Sequence, residues 1–164
     1  MNEWLIFSLL LLGIWFIIFL ISRGFRKEMF LISLFTMPFG LTEPLFVPEY
    51  WNPPSLFNLA ATTGFDIESF IFSFAIGGIG AVLYNTIFKV KRKKMDRHEM
   101  HSKRHRFHLI AIFSPLIIFL IFYLFTELNP IYSASIAMFI GGAATILCRP
   151  DLKKEVWMGG LLFL

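Results

Sequence analysis

The chain has 164 residues, of which 57% are apolar and only 16% are charged. A soluble domain averages about 45–50% apolar and about 25% charged residues, so this chain carries more apolar side chains than one small core can bury. Its 15 Lys and Arg residues exceed its 11 Asp and Glu residues, and its single cysteine, Cys148, excludes an internal disulfide or a multi-cysteine zinc site. The composition therefore excludes an ordinary water-soluble enzyme and indicates an integral membrane protein.

Long apolar runs predict the membrane-spanning helices, because a helix needs roughly 20 mostly apolar residues to cross a bilayer. We expect an all-α, polytopic integral membrane protein with five complete transmembrane helices plus the start of a sixth. The sixth run, Val156–Leu164, is too short to cross, so we expect a single transmembrane domain over residues 1–164 whose C-terminus is truncated. The five complete runs are Trp4–Ile21, Met29–Phe46, Ile67–Phe88, Leu109–Phe125 and Ile131–Cys148.

The basic residues predict the orientation of these helices, because cytoplasmic loops carry an excess of Lys and Arg. All 15 Lys and Arg residues fall in the loops at residues 22–28, 89–108 and 149–155, which are the first, third and fifth loops. The N-terminus and the second and fourth loops carry acidic residues instead. We therefore expect a multi-pass protein of the cytoplasmic (inner) membrane with its N-terminus outside.

The third loop combines nine of the bases with all four histidines, His98, His101, His105 and His108. Their spacing places the four imidazoles on one helical face. One interpretation is a metal cluster, since His101 and His105 have the i,i+4 spacing used by metal-binding helices. The other, which we favour, is a basic amphipathic helix that lies on anionic lipid headgroups. We accordingly predict membrane lipids as partners, no metal, no cofactor and no nucleic acid.

Carboxyl groups at the outer rim of the membrane are the candidate functional residues, because a charge there is costly and usually has a function. Glu43 lies near the outer end of the second run, between Thr42 and Pro44, while Asp66 and Glu68 open the third run from the same side. Glu127 closes the fourth run. A helix cap explains Asp66 or Glu68 without any function, but Glu43 has no such simple explanation.

The segment around these carboxyl groups resembles the lycopene cyclase domain family, the small integral-membrane carotenoid cyclases of the heterodimeric or fused type. Those proteins carry a P-x-E-[E/D] motif followed by aromatic residues at the start of a membrane helix. The corresponding residues here are Asp66-Ile67-Glu68-Ser69, followed by Phe70 and Phe72. Glu68 matches the central glutamate, while Asp66 and Ser69 replace the proline and the second acid.

The resemblance implies an isomerase of carotenoid biosynthesis, which closes the ends of a linear polyene by protonation and deprotonation without net redox change. It implies a carotenoid or other isoprenoid substrate and a homo- or hetero-oligomer in the membrane. In this interpretation Glu68 is the acid and Asp66 or Glu43 is the base. Aromatic faces that can stabilise a carbocation are supplied by Tyr50, Trp51, Phe70 and Phe72.

Two other functions fit the same residues. A non-catalytic relative would bind a polyene or assemble with other membrane enzymes, in keeping with Ser69 at the motif's second acidic position. A small proton-coupled transporter would use intramembrane acids next to helix breaks, and Pro38, Gly40 and Pro44 lie close to Glu43. Small residues that recur every four positions, beginning at Ser69 and at Ser133, predict close packing between helices rather than either function.

Overall fold

The computed structural model describes residues 2–46, 54–90 and 101–162, and within these ranges it contains only helices and the turns that join them. The described residues form two compact units, one within residues 1–90 and the other within residues 91–162. The α-helices are α1 (Glu3–Ile21), α2 (Arg26–Thr36), α3 (Leu59–Thr63), α4 (Ile67–Ile87), α5 (His108–Phe125), α6 (Pro130–Cys148) and α7 (Lys153–Leu161).

Four of the predicted runs are confirmed as helices, and their ends lie within one residue of the predicted ones. Four helices in the described residues are long and apolar enough to cross a membrane: α1, α4, α5 together with the 3₁₀ turn before it, and α6. Between 6% and 22% of the residues in their most apolar windows are buried inside the protein, and many large apolar side chains, above all on α1 and α5, are exposed. Outward-facing Leu, Ile and Phe side chains in such numbers match the apolar interior of a bilayer and not water. The described part of the chain is therefore all-helical and contains four candidate membrane-spanning helices.

The predicted second span is not one continuous helix, which corrects the expectation of five complete spans. Helix α2 ends at Thr36 after 11 residues, and a 3₁₀ helix, Met37–Leu45, continues the chain. Proline has no N–H group and its ring clashes with the carbonyl four residues before it, so Pro38 and Pro44, which lie six residues apart, disfavour a continuous α-helix here. The predicted start of a sixth helix corresponds to α7, which has 9 residues.

Two side-chain caps begin the main helices of the first unit. Asn2 accepts a hydrogen bond from the backbone N–H of Leu5 at the start of α1. Asp66 accepts one from the backbone N–H of Ser69 at the start of α4. Such caps give a hydrogen-bond acceptor to N–H groups that have no partner inside the helix. An unpaired N–H group costs more free energy in an apolar environment than in water.

Small residues on α4 let α1 and α2 pack closely against it, as the spacing of small residues predicts. Gly78 faces the Trp15 indole of α1 and the Ser33 hydroxyl of α2, and these two side chains hydrogen-bond to each other at 2.8 Å. Gly77 faces Thr36, whose hydroxyl donates to the Ser73 carbonyl of α4 at 2.9 Å. The core around these contacts consists of Trp15, Met29, Ala75, Ile79 and Val82.

The second unit pairs α5 with α6 in the same way. Ser133, Ala137 and Gly141 form a buried stripe along α6, and Gly141 lies against the Pro115 ring of α5. A glycine opposite a proline ring allows close helix approach, because neither residue adds a long side chain between the two backbones. The residues that join the helices, 126–129, bring α6 back antiparallel to α5.

Replacing Gly78 with Ala tests this packing. The added Cβ atom would collide with both the Ser33 hydroxyl and the Trp15 indole, so we expect the free energy of unfolding to fall by about 1–3 kcal/mol. Gly13→Ala in α1 is the matched control, because no atom lies within 4 Å of the position of its Cβ. Chemical unfolding in detergent measures both variants, and equal stability of the two would contradict the packing described here.

Candidate functional site

The amino end of α4 carries two of the predicted carboxyl groups, and both are buried. Asp66 precedes the helix in an extended conformation and is 2% exposed, while Glu68 lies in the first turn and is 0% exposed. Acidic residues favour this end of a helix because its free N–H groups carry partial positive charge. Helix capping alone explains the position of Asp66 but does not require that Glu68 be enclosed completely.

Glu43 reaches Asp66 from the 3₁₀ helix Met37–Leu45. The backbone N–H of Asp66 donates to Glu43 Oε2 at 3.1 Å, and Glu43 is 7% exposed. Gly40 makes this approach feasible, since a Cβ atom at that position would lie only 2.9 Å from the backbone nitrogen of Phe70. The break in the second span therefore has a structural consequence: it places a carboxyl group against the start of α4.

Glu68 is held by different partners, so the three carboxyl groups form two sub-sites. The Asn2 side-chain amide donates to Glu68 Oε1 at 2.6 Å, and the backbone N–H of Leu56 donates to the same atom at 2.7 Å. The next two residues, Phe57 and Asn58, have φ angles of 55° and 57°. A left-handed conformation is unfavourable for Phe, and backbone strain of this kind is concentrated at functional sites.

Each of the three carboxyl groups also keeps one buried oxygen without a hydrogen-bond donor among the described residues. These atoms are Glu43 Oε1, Asp66 Oδ2 and Glu68 Oε2. Buried polar atoms in proteins are nearly always hydrogen-bonded, so an unmatched acceptor invites a proton or a ligand. A carboxyl group that gains a proton becomes a donor and can satisfy a neighbouring acceptor.

The pKa of Glu43 is raised to about 7, mainly because its side chain is buried and also because the Asp66 carboxyl group lies beside it. The backbone N–H of Asp66 and the side chain of Ser69 act in the opposite direction. Two carboxyl groups at one place cannot both ionise easily, so the pair tends to retain one proton. Glu43 lies outside the four candidate spans of the described residues.

The predicted aromatic residues divide between the same two sub-sites. Phe70 lies beside Gly40 on the Glu43 side, whereas Phe72 contacts the rings of Trp4 and Phe7 at 5.3 and 6.3 Å. Phe72 follows Glu68 by one helical turn, so it shares the face of α4 that carries Glu68. Tyr50 and Trp51 lie outside the described residues.

Asn2 and Leu56 are partners of Glu68 that were not predicted from the sequence. Asn2 was detectable as a helix cap, since Asn just before an apolar run favours that position. Its contact with Glu68 joins residues 66 positions apart and has no local signal. Glu127, by contrast, is exposed in the turn between α5 and α6.

Three residues of the second unit could hold a metal ion, although the sequence predicts none. The candidate ligand atoms of His105, His108 and Cys148 lie within 4.8 Å of one another. His98 lies outside the described residues, and residues 101–104 form turns rather than the predicted amphipathic helix. His101, which the alternative metal interpretation pairs with His105, does not belong to this group.

A surface recess lies at the opposite end of α1 and α4 from the carboxyl groups. Its lining includes Arg23, Lys89 and the hydroxyl groups of Ser22 and Thr86, which contact each other at 2.6 Å. This end belongs to the side of the first unit where the basic residues are concentrated. The recess is separate from the carboxyl site and does not contribute to it.

No protein-family model, no curated protein and no solved structure matches this chain. The carboxyl groups, their partners and the apolar helices that carry them are therefore the features of this chain that bear on its function.

Replacing Glu43 with Gln tests the raised pKa. The folded state keeps the Glu43 proton to a higher pH than the unfolded state, so ionisation opposes folding and stability falls as pH rises from about 4.5 through about 7. We expect the variant to lose this part of the pH dependence. Thermal unfolding in detergent at about pH 5 and about pH 8 measures it. The exposed Glu3→Gln is the control, and an unchanged pH dependence in Glu43→Gln would contradict the assignment.

Proposed function

We propose that this protein is a lycopene cyclase-type membrane enzyme, which closes the end of a linear polyene by adding and then removing a proton. The observation that supports the proposal best is the burial of Glu43, Asp66 and Glu68 at the amino end of one apolar helix. Buried acids beside a membrane-spanning helix are costly and usually serve proton transfer or binding. The resemblance around Glu68 points to the same chemistry.

The reaction needs one proton donor and one proton acceptor, and it has no net redox change. A carboxylic acid adds a proton to the terminal carbon–carbon double bond, which leaves a carbocation. The electron pair of a neighbouring double bond then forms the new ring bond, and a base removes one proton from the cyclic cation to restore a double bond. The product is an isomer of the substrate, so neither a metal nor a redox cofactor enters the balance.

The two sub-sites fit a division between donor and acceptor. The Glu43–Asp66 pair is the donor in this proposal, because the pKa of Glu43 is raised to about 7 and a proton is retained there near neutrality. Glu68 is the acceptor, since its Oε1 is occupied by two N–H donors and its Oε2 is buried without one among the described residues. This division reverses the roles that the resemblance implies for Glu68 and its neighbours.

Aromatic rings next to Glu68 supply the environment that a carbocation requires. Phe72, Trp4 and Phe7 form a contiguous aromatic group on the Glu68 side of α4. The face of an aromatic ring attracts a cation and does not react with it, and the attraction is strongest where water is excluded. Phe70, Tyr50 and Trp51 remain candidates for the same role in this proposal.

The proposed setting is the cytoplasmic membrane, with the N-terminus outside and the carboxyl site near the outer surface. The bias of all Lys and Arg residues to alternate loops supports this orientation, and the exposed apolar faces of α1 and α5 support contact with lipid tails or with other subunits. A carotenoid or related isoprenoid is long, apolar and membrane-dissolved, so it reaches such a site from within the bilayer.

Reporter fusions test the orientation. A reporter fused after Lys94 should be cytoplasmic, and one fused after Asn52 should be external, because the basic loops stay inside. Paired alkaline phosphatase and fluorescent protein fusions distinguish the two locations. The opposite result for either fusion would overturn the orientation and the outer location of the site.

Substitution of the carboxyl groups tests the chemistry. Expression of the protein in cells that accumulate lycopene should yield cyclic carotenoids, as measured by chromatography of the extracted pigments. Glu68→Gln and Glu43→Gln should each lower ring formation by about 10²–10⁴-fold, since each removes a group that carries a proton. Glu127→Gln, which removes an exposed carboxyl group, should leave the pigments unchanged. Full activity in Glu68→Gln, or unchanged lycopene with well-expressed wild type, would contradict the proposal.

The break between α2 and the 3₁₀ helix Met37–Leu45 favours a second candidate, a small proton-coupled transporter. Interrupted helices place backbone groups and acids at a substrate site in many transporters, and Glu43 lies within the 3₁₀ helix that follows this break. A transporter would leave the pigment of the host unchanged, whereas a polyene-binding protein would co-purify with unchanged pigment. The same expression experiment therefore separates the three functions.

A further inference from the structure

Three side chains with metal-binding atoms meet at one end of the α5–α6 pair. His105 lies in the 3₁₀ turn before α5, His108 is the first residue of α5, and Cys148 is the last residue of α6. The Cys148 Sγ atom lies 4.0 Å from His108 Nδ1, and the two imidazole rings lie 4.7 Å apart between centroids. One ligand atom from each side chain falls within 4.8 Å of the others.

The packing of the two helices determines this meeting. The close contact of Gly141 with Pro115 sets how α6 runs along α5 and brings the end of α6 level with the start of α5. His105 and His108 are three residues apart, a spacing that places both side chains on one helical face. The cysteine, 40 residues from His108 in sequence, joins them only through the fold.

The hydrogen bonds around the cluster are incomplete. His105 Nδ1 is buried and has no partner among the described residues, and Cys148 is 5% exposed. A buried ring nitrogen without a hydrogen bond is uncommon and calls for an explanation such as a missing ion. A histidine pair kept only for packing would not require an unmatched nitrogen directed away from water.

We propose that His105, His108 and Cys148 bind a zinc ion, a site that is independent of the polyene chemistry proposed above. Zinc prefers thiolate sulfur and imidazole nitrogen at about 2.3 and 2.0–2.1 Å, so three ligand atoms of a tetrahedral site lie about 3.3–3.6 Å apart. The present spacing of up to 4.8 Å closes to that range by small side-chain rotations. A water molecule completes the coordination as the fourth ligand.

Binding releases the thiol proton of Cys148, because only the thiolate binds the metal. The ion links the start of α5 to the end of α6, so it stabilises the helix pair by binding the folded state and not the unfolded one.

Metal analysis of the purified full-length chain tests the site. After equilibration with zinc and removal of free metal, the wild type should retain about one zinc per chain, and cobalt substitution should produce a thiolate-to-cobalt charge-transfer band. Cys148→Ala and His108→Gln should lose both signals. His101→Gln, which removes an exposed histidine outside the cluster, should keep them. A chelator should lower the melting temperature of the wild type but not that of Cys148→Ala.

Circular dichroism and gel filtration in detergent establish that each variant is folded. Full zinc content in Cys148→Ala would overturn the proposal, as would a folded wild type that retains no zinc or cobalt after equilibration. A cobalt spectrum without the thiolate band would exclude Cys148 as a ligand and would overturn it equally.

Discussion

The burial of three carboxyl groups at one end of an apolar helix is the constraint on which the first unit of this protein depends. Each buried carboxylate requires hydrogen-bond donors, a proton shared with a neighbouring group, or both. Asp66 accepts a hydrogen bond from the backbone of α4, which it caps, and Glu43 accepts one from the backbone N–H of Asp66. Glu68 accepts hydrogen bonds from the Asn2 side chain and the Leu56 backbone. The start of α1 and the strained turn at residues 56–58 are thus both attached to Glu68.

Close helix packing makes that arrangement feasible. Gly40 allows the 3₁₀ helix to touch the backbone of α4, and Gly77 and Gly78 let α2 and α1 approach the same helix further along. In a bilayer these contacts replace the hydrophobic driving force that folds a soluble protein, because lipid tails are as apolar as the side chains. Glycine residues, which have no side chain to react or bind, therefore determine where the carboxyl groups lie.

Hydropathy and helix caps predict much of this fold, and long-range contacts account for the remainder. The apolar runs locate α1, α4, α5 and α6 closely, since each is a local property of about 20 residues. The predicted second span is not one continuous helix, because Pro38 and Pro44 interrupt a run of mostly apolar residues. The length and apolar content of a run do not show where a helix within it is interrupted.

The candidate site was predictable in part. The sequence places Glu43, Asp66 and Glu68 near one another, because two of them open a helix and the third ends the preceding apolar run. It does not separate them into a Glu43–Asp66 pair and a Glu68 site, since that division depends on Asn2 and Leu56. The meeting of Cys148 with His105 and His108 had no sequence signal, because a helix–turn–helix lies between them.

The central claim is that one carboxyl group in the Glu43–Asp66 pair holds a proton near neutral pH. Infrared difference spectroscopy of the purified protein, titrated from about pH 5 to about pH 9, measures this directly through the carbonyl stretch of protonated carboxyl groups. We expect a band that is lost with a midpoint near pH 7 and is absent from Glu43→Gln. A spectrum without a protonated carboxyl band at about pH 6, or a band unchanged by Glu43→Gln, would contradict it.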